Sequence, residues 1–116
     1  DRPRLVQLLL EREELGSTGV GEGIAVPHPH AEELAGIGHP LVVIGLLSDP
    51  IDWGGFDGKD VDVVAMLICP SGDIHLKLLG SLARALMDAE VRELLRKHAP
   101  LPAVLKRVWE LVPPGE

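Results

Sequence analysis

Two histidines in this chain stand where imidazole chemistry is feasible. His28 stands two residues before the end of the run GSTGVGEGIAVPHPH, in which glycines at 16, 19, 21 and 23 precede a short apolar stretch, Pro27 and then the ring. Proline fixes its own φ and restricts the residue before it, so Pro27 delivers His28 on a stiff segment. Ile24-Ala-Val26 reads as a brief strand, and sites collect at strand ends in open α/β sheets. His75 falls in the first turn of a helix expected from about 74 to 88. There, free N–H groups and the helix dipole favour an anion. The same field disfavours an imidazolium, so a neutral His75 is expected, able to donate one hydrogen bond and accept another. Its plainer reading is a partly buried histidine beside Leu78, Leu79 and Leu82. His39, in a loop before Pro40, reads as solvated. His98, in the last turn of a helix where a cation is favourable, reads as structural.

The glycine run is not a nucleotide motif. Gly16 to Gly21 has the glycine spacing of a phosphate-binding P-loop, but Glu22 stands where that motif needs lysine. The dinucleotide pattern G-x-G-x-x-G fails at Ile24, and a strand follows where a helix should. A metal site is a rival: His28 and His30 on an extended chain would point to one side, with Cys69 or His75 completing a tetrahedral set. That spacing is loose, and the expectation is no metal.

The elements that hold these residues fit one α/β domain. The 116 residues carry 46% hydrophobic side chains but 3% aromatics, so aliphatic residues must fill the core. The net charge of −7 argues against a nucleic-acid or anionic-membrane partner. A single cysteine excludes an intrachain disulfide and fits a reducing, cytoplasmic setting. No apolar run approaches a membrane span, so no membrane insertion is expected, and no signal-peptide pattern opens the chain. Residues 5–14 read as a helix ending at Gly16, and 31–36 as a helical turn. The apolar runs at 41–47 and 61–69 read as two buried strands, joined by a loop over 49–60 rich in Gly and Asp. Asp73 or Ser71 caps the next helix, whose core stripe is Leu78, Leu79, Leu82 and Leu86. A helix over about 90–98 turns Val91, Leu94 and Leu95 inward. The last, over 100–111, carries Leu101, Val104, Leu105 and Val108. Strands mixed with helices give an α/β layer fold, with an α+β variant as the alternative.

Two segments resemble one family. EREELGSTGVGEGIAVPH is similar to the active-site segment of the enzyme IIA proteins of the bacterial phosphotransferase system, in the fructose/mannitol/nitrogen-regulatory (type 2) class. PIDWGGFDGKDVDVVAMLICPSGDIHLKLLGSLARAL is similar to that family's second motif-bearing stretch, in the same order along the chain. The resemblance covers most of residues 5–112. It implies a mixed β-sheet flanked by helices, the phosphotransferase/anion-transport-protein-like arrangement, as a single domain over 1–116 that lacks the family's opening strand and helix. The family often has glycine after the active histidine, where this chain has Pro29-His30.

By that resemblance His28 is the phosphoryl acceptor, His75 the orienting and stabilising histidine, and Arg12 the cation that steadies phosphoryl charge. The implied function is a phosphotransferase relay: His28 accepts a phosphoryl group from the phosphocarrier HPr or a paralogue. It then passes the group to an enzyme IIB domain for sugar uptake, or holds it as a signal to a regulated protein. The alternative is a non-transferring regulatory module attached to a transporter or transcription regulator. Such a relay needs a neutral imidazole, donors around the phosphoryl oxygens and no cofactor, because the donor is already a phosphohistidine. Ser17, Thr18, Gly21 and Gly23 are expected to line the phosphoryl pocket, and Trp53, Phe56 and Val26 are candidates for the docking face.

Overall fold

The segment Val61–Ile68 is apolar at every position but Asp62, and the structure makes it a strand with one face more deeply buried. In the computed structural model, which describes residues 2–29, 39–69 and 72–112 (backbone only over 72–75), this segment is strand β4, and Val61, Val63, Ala65 and Leu67 on one face are buried. Burial of a valine or leucine at such a position contributes about 1.5–3 kcal/mol. β4 is central in a four-stranded sheet ordered β1-β2-β4-β3. The other strands are β1 (Gly19–Gly21), β2 (Ile24–Ala25) and β3 (Leu41–Ile51). β2 runs parallel to β4, with Ile24 opposite Val63, whereas β3 runs antiparallel to it. The sheet is thus mixed, and with the four helices among the described residues the fold is α/β as expected.

β3 departs from its expected burial and length. The run 41–47 is not a buried strand: Leu41, Val42, Val43 and Ile44 stay 40–49% exposed. The cause is position, since β3 has β4 on one side and no neighbouring strand on the other among the described residues. The strand also extends through Asp49, Pro50 and Ile51, which read as loop in the sequence. Proline within a strand is tolerated at a sheet edge, so Pro50 was the available signal.

Helix α1 (Arg2–Leu15) starts earlier than the sequence suggests and takes Pro3 into its first turn, where a missing N–H costs nothing. Its Leu8 packs with Ile68, flanked by Leu5 and Met66. Beside this contact an apolar groove of about 330 Å³ opens between α1 and the sheet, lined by Leu9, Pro27, Val43, Trp53, Val64 and Met66 among others.

The described residues divide into two compact units, one ending at Leu76 and the other beginning at Lys77. α2 (Gly72–Leu86) begins two residues before its expected start. Ser71 and the Asp73 side chain, the two cap candidates, lie outside the described residues, as do His30 and the turn expected at 31–36. In the second unit Ala85 and Leu86 are buried, while Leu78, Leu79 and Leu82 are half-buried. α3 (Ala89–Arg96) is capped by Asp88, whose carboxylate accepts the Val91 N–H at 3.0 Å. Val91 and Leu95 are buried, and Leu94 is half-buried. The Arg107 guanidinium of α4 (Leu101–Leu111) forks onto the same carboxylate at 2.9 and 3.0 Å and holds it below the usual carboxylate range. Of the four α4 positions expected inward, Val104 is buried and Val108 half-buried. Leu101 and Leu105 are exposed, because the helix has only one covered stripe. No helix among the described residues is long and apolar enough to cross a membrane.

His98 has a structural place, one step beyond the helix end. It adopts φ 57°, and the Ala99 N–H returns to the Leu94 carbonyl at 3.0 Å, closing the helix end with a left-handed residue. A β-carbon is strained there, so His98→Gly should raise stability by roughly 1 kcal/mol, read as a higher urea midpoint. An unchanged or lower midpoint would show that the histidine side chain has a compensating role.

Candidate functional site

The glycine run folds as a tight hairpin, not as an open loop. Gly19–Gly21 and Ile24–Ala25 pair antiparallel, and Glu22 and Gly23 form the turn with φ 58° and 79°. Two consecutive positive φ values match the twist of a two-residue hairpin. The strand at 19–21 is invisible to hydrophobic patterning, because Gly-Val-Gly has no period to read. Behind the turn, the Gly23 carbonyl accepts the N–H groups of Asp62 and Val63 at 3.0 and 3.1 Å, which locks β2 onto β4. The Leu67 N–H donates to the Pro27 carbonyl at 3.0 Å and carries that lock to the residue before His28.

His28 is half-buried, between a buried Pro27 and a buried Pro29. Its Nδ1 lies 2.7 Å from the Val26 carbonyl oxygen. A carbonyl only accepts, so Nδ1 donates and Nε2 carries the lone pair of the neutral ring. The sequence marks the histidine but not this partner, which is a main-chain group two residues back. Val26 itself is buried core, not part of a docking face.

The α1 terminus and the start of the hairpin share one hydrogen-bond network. Arg12 donates from Nη1 to the Gly16 carbonyl at 2.9 Å, closing the end of α1. That bond uses one of the five N–H donors of the guanidinium. Glu13 accepts from the Thr18 N–H at 3.2 Å and from the Thr18 hydroxyl, and the Trp53 indole N–H donates to that hydroxyl at 3.2 Å. Thr18 is only 4% exposed. Ser17 Oγ donates to the Trp53 carbonyl and accepts from the Gly19 N–H, each at 3.0 Å. Both hydroxyls expected in the pocket are therefore engaged by protein partners in this structure. The Ser17–Gly19 bond is a local turn legible in the sequence. The two bonds to Trp53 join residues 35 or 36 positions apart and left no sequence signal.

Parallel pairing of β2 and β4 sends both chains out at the same end of the sheet. One exit is Val26-Pro27-His28. The other leads through Cys69 to α2, which carries the His75 backbone near its start. The His75 side chain lies outside the described residues. Gly21, at φ 94°, and Gly23, at φ 79°, both occupy conformations that favour glycine. Trp53 is half-buried, and Phe56 is 84% exposed above Gly21. Cys69 is buried. No three His, Cys, Asp or Glu side chains cluster as a metal site among the described residues.

Residues 1–108 match the family model described as "Phosphoenolpyruvate-dependent sugar phosphotransferase system, EIIA 2". The chain is 38% identical over 103 residues to a nitrogen regulatory protein of Bradyrhizobium diazoefficiens, covering 84% of this chain and 63% of that protein. It is 36% identical over 97 residues to a fructose-specific EIIA component of Haloferax volcanii, covering 82% of this chain and 61% of that one. The chain therefore spans less than two thirds of the length of both relatives. Among solved structures it resembles enzyme IIAMTL in a complex with phosphorylated enzyme IIBMTL from Escherichia coli. That match has a TM-score of 0.76, with 28% identity, over 93% of this chain and 74% of that one.

Proposed function

Because the chain belongs to the phosphoenolpyruvate-dependent sugar phosphotransferase system EIIA 2 family, we propose that it is a phosphoryl carrier whose acceptor atom is Nε2 of His28. The observation that carries this reading is the Nδ1–H bond to the Val26 carbonyl, which presents the lone pair on Nε2 of a half-buried ring. The donor is phospho-HPr or a paralogue. Nε2 attacks phosphorus, the N–P bond of the donor breaks, and its electron pair returns to the donor imidazole. The His28 ring gains positive charge as the new bond forms, and the Val26 carbonyl stabilises it through Nδ1–H. Arg12 offsets phosphoryl charge with the guanidinium N–H groups beyond its bond to Gly16. His75, from the first turns of α2, orients the group.

Gly21 and Gly23 bend the hairpin so that main-chain donors line the pocket, while Ser17 and Thr18 shape it from behind. No cofactor takes part, since the transferred group arrives already activated. The relay operates in the cytoplasm and delivers the group to an enzyme IIB domain.

A regulatory reading has its own support, in the relative named nitrogen regulatory protein. Both readings share the first transfer and differ in the second. The phosphorylated protein, isolated and mixed with fructose- and mannitol-class IIB domains, should lose its label to at least one of them within minutes. Label that stays on the protein with every IIB domain would support the regulatory module instead.

A further inference from the structure

The loop between β3 and β4 lies against the glycine hairpin along its whole first arm. Its Trp53 carbonyl accepts from Ser17, and its Trp53 indole donates to Thr18. Gly55 approaches so closely that a β-carbon on Gly19 would lie 3.0 Å from the Gly55 Cα. A β-carbon on Gly21 would lie 3.1 Å from the Phe56 ring and 3.2 Å from the Asp57 carboxylate. At the tip, Asp57 Oδ2 accepts the Glu22 N–H at 3.0 Å, while its Oδ1 accepts the Lys59 N–H at 3.1 Å. Lys59 also reaches the Glu22 carboxylate at 3.6 Å.

These contacts have a specific target. β2 and Pro27 are already held by β4 through the Gly23 and Pro27 carbonyls. The arm over 17–22 has only a three-residue strand paired to a two-residue one, with an irregular register. Isolated hairpins of that size are not stable in water. Glu22 also holds a left-handed conformation that costs energy for a residue with a side chain. The carboxylate of Asp57 offsets that cost by binding the Glu22 N–H, and the same bond is the first cause of its lowered pKa.

We propose that residues 52–60 form a strap that sets the position of the 17–22 arm, with Asp57 and Trp53 as positioning residues for phosphoryl acceptance at His28. The claim about acceptance rests on the relay reading above; the claim about the strap does not. The strap holds Thr18, whose carbonyl accepts the Val26 N–H at 2.9 Å two residues before His28, while β4 fixes the histidine's own segment through the Pro27 carbonyl. Loss of the strap therefore slows transfer without removing the acceptor.

The test pairs two readouts on the full chain. In Asp57→Ala the Glu22 amide should exchange hydrogen at least about tenfold faster, while the Val63 and Leu67 amides keep their protection. Phosphoryl acceptance from phospho-HPr should slow by about tenfold, the size of one lost hydrogen bond to a charged group, with the final extent of labelling unchanged. Asp57→Asn retains an acceptor oxygen and should recover most of both. Trp53→Phe removes the indole donor while keeping an aromatic ring and the main-chain carbonyl, and should slow acceptance with the fold retained. Lys59→Ala, which leaves the main-chain N–H in place, should change neither rate.

Unchanged Glu22 exchange in Asp57→Ala would overturn the strap. Faster exchange with an unchanged acceptance rate would overturn its positioning role, as would slowing that Asp57→Asn does not relieve. If wild-type protein accepts no phosphoryl group, the relay reading fails, and the exchange comparison decides the strap by itself.

Discussion

With glutamine in place of His28, the protein should fold as before and accept no phosphoryl group at all. The side chain at 28 makes its recorded bond to the Val26 carbonyl, and a glutamine amide N–H can make the same one. The flanking Pro27 and Pro29 are buried and unaffected. What the amide lacks is a nucleophilic lone pair, because its nitrogen electrons are delocalised into the carbonyl. Acceptance should fall by more than about a thousandfold, beyond detection in an endpoint assay. The check is intact mass after incubation with phospho-HPr, with circular dichroism as the folding control. A glutamine variant that still takes one acid-labile phosphoryl group would move the acceptor to another residue.

Thr18→Val should destabilise the protein strongly although it changes the shape of the hairpin hardly at all. Valine has nearly the same shape, so it fits a site that is 4% exposed. It removes the hydroxyl that donates to Glu13 and accepts from the Trp53 indole. Two polar partners then lose one bond each in a largely closed space. The expected cost is about 2–3 kcal/mol, a large share of the stability of a small domain. Thr18→Ser keeps the hydroxyl and should lose no more than about 1 kcal/mol, mainly for the missing methyl. Urea denaturation of the two variants gives the comparison directly. Equal midpoints would mean that the hydroxyl network contributes nothing net.

The sequence was most legible where chemistry and geometry are local. Pro27 before His28, glycines at the turn and the apolar run over 61–69 each follow from one residue or its near neighbours. The apolar run placed the central strand correctly, and Pro27 marked the stiff segment that carries His28. β3 was misread because an apolar run does not reveal whether its strand will find two neighbours or one. Pro50 carried that information, and its edge preference was passed over. β1 was missed because three residues of Gly-Val-Gly take their strand conformation from their pairing with β2, not from their own propensity. The roles of Ser17 and Thr18 depend on a loop some 35 residues away, and no local pattern encodes such a contact. Arg12 was singled out through the resemblance, and its partner here is the Gly16 carbonyl, a main-chain group that any residue type could present.

The most direct measurement is intact mass of the wild-type protein after incubation with phosphoenolpyruvate, enzyme I and HPr, followed by NMR of the His28 ring. The account predicts a gain of one phosphoryl group, located on Nε2, with Nδ1 still protonated toward Val26. A folded protein that gains no mass, or one that carries the group on Nδ1, would contradict it.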